Sequence, residues 1–307
     1  MDAIKEIVSV SIGSSKRDHT VDVDLFGETF RISRVGTDGD MALAEQKLRE
    51  LDGKVDAFGL GGIDLFLHAA DHDYYFREAR RFRAAVSQTP LVDGSGLKGA
   101  VEGDVVRFMR EELGLELTGK KVLITSAVDR WGMAMGFADA GCDMTYGDML
   151  YALDIPIMIH RKSTLVRFVR AIAPIAVQLP FAWLYPAEAD HESEVEQESK
   201  HADLYRAADI IAGDYKYVRK YMPEDMSGKW IITNTTTSQD VEFLRSRGVE
   251  LLITSTPRFE GRSFGTNVIE ATMVALDGSD RSLRPARYLE LLAKSGFAPD
   301  VQWLQRG

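Results

Sequence analysis

The sequence predicts an α/β fold, a Rossmann-like doubly wound parallel sheet preceded by a smaller α/β domain. Three observations predict it. Between Lys120 and Asp148 the chain reads strand, tight turn, helix, strand, and ends on an acid, which is the layout of a mononucleotide-binding half. Three further apolar runs, Asp209–Ala212, Trp230–Thr233 and Glu250–Ile253, recur with helical spacers. Strands that alternate with helices imply a parallel sheet covered on both faces. The stretch before residue 60 is rich in strand patterns of its own.

In chain order, Ile7–Ile12 is an apolar strand. Val21–Leu25 alternates apolar and acidic residues, and Thr29–Val35 alternates again beyond a Phe26-Gly27-Glu28 turn, so the pair reads as a hairpin. Met41, Leu43, Ala44, Leu48 and Leu51 share one face of a helix closed by Asp52-Gly53, and Val55–Leu60 is the next strand. Residues 63–86 fit either a helix or a hairpin turning at Ala70–Asp73, with a helical second half over Arg77–Val86. Pro90–Asp93 is a short strand, and Leu97–Leu113 is a helix stopped by Gly114. In the nucleotide-type stretch, Val122–Ile124 is a strand and Ser126–Gly132 the turn. Met133–Ala140 is a helix stopped by Gly141, and Met144–Tyr146 is a strand with Asp148 just past it.

Leu165–Tyr185 is apolar but carries Arg167, Arg170, Pro174 and Pro180, so it reads as buried helix rather than a bilayer span. Residues 187–203 are acidic and read as a solvated loop. Thr266–Leu276 is a closing helix, and Leu283–Leu292 is a helix of a C-terminal appendage. The expected division is 1–117, an N-terminal α/β substrate domain; 118–280, a nucleotide-binding domain; and 281–307, the appendage.

The net charge of −10 argues against nucleic acid or an anionic membrane as partner. The sole cysteine, Cys142, rules out an intrachain disulfide framework and reads as a packing residue. The start, MDAIKEIVSVSIG, carries charges and moves directly into a strand. A cytoplasmic protein is expected, with a small anionic molecule as partner and a homodimer allowed.

Several polar strings stand at strand ends, where ligands of such sheets bind. Ser14, Ser15, Lys16 and Arg17 suit a substrate anion, or form a polar turn. Asp93, Ser95 and Lys98 stand at a strand-to-helix turn. Lys98 in a first helical turn is disfavoured by the helix dipole, and a lysine so lowered serves as an acid–base group. The other reading makes Ser95 the helix cap and Lys98 a solvated residue. Asn234, Thr235, Thr236 and Thr237 suit a polyol or a ribose, or cap the next helix. Arg262 suits a carboxylate or phosphate, with Asn267 beside the same ligand. Asp64, His68 and His72 would share a face only if helical, and no metal is expected. Where G-x-G-x-x-G would sit, the chain has Ser126-Ala127-Val128-Asp129-Arg130-Trp131-Gly132.

The strings VSVSIGSSKRDH, GTDGD, VDAFGLGGIDL, VDGSGLK, SAVDRWGMA, IITNTTT and TPRFEGRSFGTNV together resemble the bacterial quinate 5-dehydrogenase family, over most of the span from Val8 to Val268. That resemblance implies an oxidoreductase that oxidises a cyclic polyol acid with NAD or NADP, its catalytic lysine paired with an aspartate. Lys98 with Asp93 or Asp64 are the matching positions. Ser126, Ala127, Asp129, Arg130, Asp148 and Thr237 would then hold the cofactor, and Asp148 would favour NAD, because a carboxylate repels a 2′-phosphate. The missing glycine fingerprint keeps an alternative open: a lyase, isomerase or transferase acting on an anionic metabolite over the same scaffold.

Overall fold

The computed structural model describes residues 4–181, 201–255 and 265–305. Its first sheet contains β1 (Lys5–Ser11), β2 (Thr20–Leu25) and β3 (Glu28–Gly36). After helix α1 (Met41–Leu51) come β4 (Ala57–Gly61), the hairpin β5 (Phe66–Ala69) and β6 (His72–Tyr75), helix α2 (Arg80–Ala85) and β7 (Leu91–Val92). The order is β2-β3-β1-β4-β7, parallel except for the β2–β3 hairpin. Residues 63–86 resolve in favour of the hairpin reading. Ala70 and Asp71 both take left-handed φ, 52° and 61°, the twist that a two-residue hairpin turn demands. His68 and Asp73 meet across the hairpin at 2.6 Å, so the helical grouping of Asp64, His68 and His72 does not form.

Helix α3 (Ser95–Glu111) leads to the second unit. There follow β8 (Lys121–Ile124), α4 (Trp131–Asp139), β9 (Asp143–Tyr146), α5 (Asp148–Leu153), α6 (Lys162–Ala176), α7 (Ala202–Ala207), β10 (Ile210–Ala212) and α8 (Tyr215–Lys220). β11 (Trp230–Thr233), α9 (Ser238–Ser246), β12 (Leu251–Thr254), α10 (Thr266–Asp277), α11 (Pro285–Lys294) and β13 (Asp300–Trp303) complete the chain. The second sheet runs β13-β12-β11-β10-β8-β9, parallel apart from β13. The order reverses between β8 and β10, which creates a crevice past their carboxyl ends.

Two placements differ from the linear reading. Helix α10, expected to close the second sheet, instead buries Val268, Ala271 and Val274 with Ile7, Ile32 and Val92 of the first. The final strand, expected within an appendage, pairs with β12.

A single apolar cluster joins Val8 and Phe58 of the first sheet to Val122, Ile124 and Ile210 of the second through Val106 on α3 and Phe137 on α4. The helices meet along glycines. A Cβ on Gly132 of α4 would stand 2.8 Å from the Gly99 carbonyl and 2.9 Å from the Gly103 amide of α3, closer than packed atoms allow. Among the described residues no helix is long and apolar enough to cross a membrane.

Candidate active site

A cleft of about 420 Å³ lies where the β5–β6 hairpin, the first turns of α3 and α4 and the segment before α11 come together. Lys98 forms part of its lining. Its ammonium donates to Asp129 Oδ1 at 2.7 Å, not to Asp93 or Asp64. Helix α3 begins on Gly94 with φ 97°, so Ser95 is the first helical residue rather than the cap. Gly94 packs so tightly that a Cβ there would sit 2.8 Å from the Asn267 amide.

Asp93 is turned to structural use. One oxygen accepts from the Ser95 amide at 2.9 Å, and the other accepts from the Ser95 hydroxyl at 3.0 Å and from the Leu65 amide. These bonds hold the hairpin entry against the start of α3. Asp64 borders the cleft. Although part of its surface opens into the cleft, low-dielectric surroundings and then the Asp93 charge push its carboxyl up to about 7, against the pull of Lys98. Asp93 keeps stabilising donors that Asp64 lacks, so Asp93 is the first of the two to ionise.

Lys98 shifts upward. Burial and the nearby Arg130 pull it down, but Asp129, Glu102 and Asp64 together outweigh them. The expected lowering from the helix dipole is overridden by three carboxylates, and the side chain stays charged.

Beneath this pair lies a buried ionic knot. Arg130 bonds Glu102 and Asp214, with its Nε 3.2 Å from Asp129. Glu102 is 2% exposed, and burial raises its carboxyl despite the Arg130 and Lys98 charges. Sequence reasoning missed Glu102 and gave Asp214 no role beyond a polar cluster at a strand end. Glu102 was findable, since it stands four residues beyond Lys98 on the same helix face.

The turn from Ser126 to Arg130 is the place for a dinucleotide's diphosphate. Two of its amides are already answered by a carboxylate: Asp148 Oδ1 accepts from the Val128 amide at 2.8 Å, and Ala127 also bonds this carboxylate. Ser126 Oγ accepts from the Asp214 amide at 3.1 Å. Asn234 bonds Asp214 through Nδ2 and accepts from the Tyr215 amide. Thr237 and Asp240 form a reciprocal capping box for α9, and Thr235 and Thr236 lie between Asn234 and that cap, Thr236 buried. The residues present therefore do not fit a diphosphate: a carboxylate holds the donors, and the strand ends are tied to one another.

This internal carboxylate has a measurable consequence. Burial outweighs the amide bonds and pushes Asp148 up to about 6, above its ordinary 3.8. The folded state thus binds the proton more tightly than the unfolded chain does. Stability is lost as pH rises from about 4 to 6, and the full penalty persists above 6. We expect Asp148→Asn to exceed the parent in stability by about 1–3 kcal/mol at pH 8 and to match it near pH 4. Urea midpoints at the two pH values check this.

The remaining expected residues lie elsewhere. Ser14 caps a short turn and Ser15 bonds Asp38 twice, while Lys16 is exposed. Arg17 and Asn267 border a second cavity. Arg262 and the segment 187–200 fall outside the described residues. Cys142 bonds the Leu117 carbonyl, and burial pushes its thiol up to about 11. Among the described residues no three His, Cys, Asp or Glu side chains are grouped to hold a metal.

A family model described as Domain of unknown function (DUF8754) matches residues 96–304, and one described as Domain of unknown function (DUF8753) matches residues 6–93. No curated protein matches. Among solved structures, hetero-hexameric glutamate dehydrogenase from Thermus thermophilus is 12% identical at a TM-score of 0.43, covering 95% of this chain and 73% of that one. A periplasmic ribose ABC transporter from Conexibacter woesei is 8% identical at 0.42, covering 94% and 95%. A glucose-galactose binding protein from Geobacillus stearothermophilus is 9% identical at 0.37, covering 99% of each chain.

Proposed function

The chain belongs to the family of the 96–304 match, Domain of unknown function (DUF8754), and from the cleft at the start of that region we propose that it is an enzyme performing acid–base chemistry on a small hydroxylated carboxylic acid. The observation that carries this reading is the Lys98–Asp129 pair at 2.7 Å in a cleft bordered by Asp64. Asp64, poised near neutrality, takes a proton from the substrate. Lys98 stays charged and stabilises the oxygen on which negative charge develops. Arg284 at the rim carries no ion pair among the described residues and is placed to hold a substrate carboxylate.

The proton-transfer core serves a lyase or isomerase without any cofactor. A second reading, NAD(P)-dependent oxidation of the same hydroxyl, is favoured by the strand-order reversal between β8 and β10. It requires a diphosphate to take the Val128 amide from Asp148. Calorimetric titration with NAD, NADH, NADP and NADPH separates the two. Saturable heat that weakens when Val128 is replaced by proline selects the oxidoreductase; silence with all four selects the cofactor-free enzyme.

Both share one expectation. In a screen of hydroxylated carboxylic acids followed by proton NMR, the rate should rise with pH and level off above about 7, as Asp64 ionises. Asp64→Asn should remove this limb along with most of the rate. A profile indifferent to Asp64→Asn overturns the assignment.

A further inference from the structure

A second cavity of about 700 Å³ opens over the first sheet, on the other side of the loop that carries Asp64. Gly61 and Gly62 line this cavity, while Asp64 lines the cleft. The polar part of its wall is Ser9, Ser11, Arg17, His19, Arg34 and Asn267, and among the described residues no carboxylate borders it. In a chain of net charge −10, that is an unusual concentration of donors.

The hydrogen-bond accounting is one-sided. Ser9 Oγ accepts from Asn267 Nδ2 at 3.0 Å, and Ser11 Oγ accepts from the Gly13 amide at 3.1 Å. Both serines are buried, 3% and 7% exposed, yet neither hydroxyl hydrogen reaches an acceptor among the described residues. Arg34 is fixed by Asp18 at 2.7 Å and by the Ser14 carbonyl at 2.8 Å. Arg17 has no carboxylate partner among the described residues. His19 donates through Nδ1 to the Arg17 carbonyl at 2.9 Å, which leaves Nε2 for a ligand. Buried donors without acceptors are costly, and a ligand that brings both acceptors and negative charge relieves that cost.

We propose that this cavity binds the oxyanion head, phosphate or carboxylate, of a small metabolite, with Arg17 as its charge partner and Ser9 and Ser11 as neutral donors. The site is distinct from the acid-lined cleft and does not rest on the chemistry assigned there.

The test is titration calorimetry of the full chain at fixed ionic strength with inorganic phosphate in one arm and malonate in the other. We expect saturable heat below about 10 mM in at least one arm. Heat from phosphate alone assigns a phosphate head, and heat from malonate alone assigns a carboxylate. Arg17→Glu should weaken binding about tenfold or more, since it reverses the charge at the contact. Arg17 is exposed, so this variant should keep the parent Tm. Lys98→Met, which alters only the cleft, should bind as the parent does. No saturable heat in either arm, affinity unchanged in Arg17→Glu, or equal loss in Lys98→Met each overturns the proposal.

Discussion

Lys98→Met is expected to lower turnover by about 10³-fold while the protein stays folded. The folded state survives because Asp129, freed of the ammonium, still has the Arg130 Nε at 3.2 Å. The chemistry does not survive, because among the described residues no other cation lines that part of the cleft: Arg284 stands at the rim, and Arg130 is committed to Glu102 and Asp214. Rates on the best acid from the substrate screen, with Tm measured alongside, decide it. Parental turnover in this variant would remove Lys98 from the mechanism and, with it, the reading of the cleft.

Arg130→Met should cost about 3–5 kcal/mol of stability, the usual effect of stripping one partner from a buried ion pair. The guanidinium is 8% exposed and bonds Glu102, itself 2% exposed. Without it, Glu102, Asp129 and Asp214 share only Lys98. The loss should be greatest at high pH and shrink as pH falls, because Glu102, already raised by burial, then accepts a proton instead of holding an unmatched charge. Adding Glu102→Leu to Arg130→Met should restore much of the stability. Urea midpoints for the single and double variants at pH 5 and pH 8 test all three statements. A single variant as stable as the parent at pH 8 would mean that the knot is more hydrated than its burial indicates.

The second sheet was legible because buried parallel strands are written as unbroken apolar runs. Residues 122–124, 210–212, 230–233 and 251–254 needed only local pattern. The antiparallel pairing of β13 with β12 runs from Asp300 opposite Thr254 to Trp303 opposite Leu251, and nothing near residue 300 announces it. Helix α10 was found, but it is buried all round from Val268 to Ala275, so its pattern does not say which sheet it covers. The candidate site was half visible. Asp64, Asp93, Lys98 and Asp129 were all singled out, yet the ion pair joins Lys98 to Asp129 rather than to Asp93 or Asp64. Asp129 stands 31 residues from Lys98, so only tertiary packing makes it the partner. The direction of the Lys98 shift was misread for a related reason: a helix dipole is local and can be read from the chain, while two of the three carboxylates that outweigh it, Asp129 and Asp64, arrive from other segments. Asp148 was correctly placed past β9 and given a ligand's ribose, when it serves the turn itself.

The glycine contact between α3 and α4 fixes the floor of the cleft. Lys98 precedes Gly99, and Trp131 precedes Gly132, so two groups of the cleft floor flank a contact made by main chain alone. Side-chain rotamers cannot slide there, and a hinge at that contact would have to pull two backbones apart. The two helices are riveted beside the Lys98–Asp129 pair. The rim is tied down as well: Ala69, Ala70 and Tyr74 of the β5–β6 hairpin are buried in the core, and Ser282 bonds Glu270, so the cleft keeps its shape from floor to mouth.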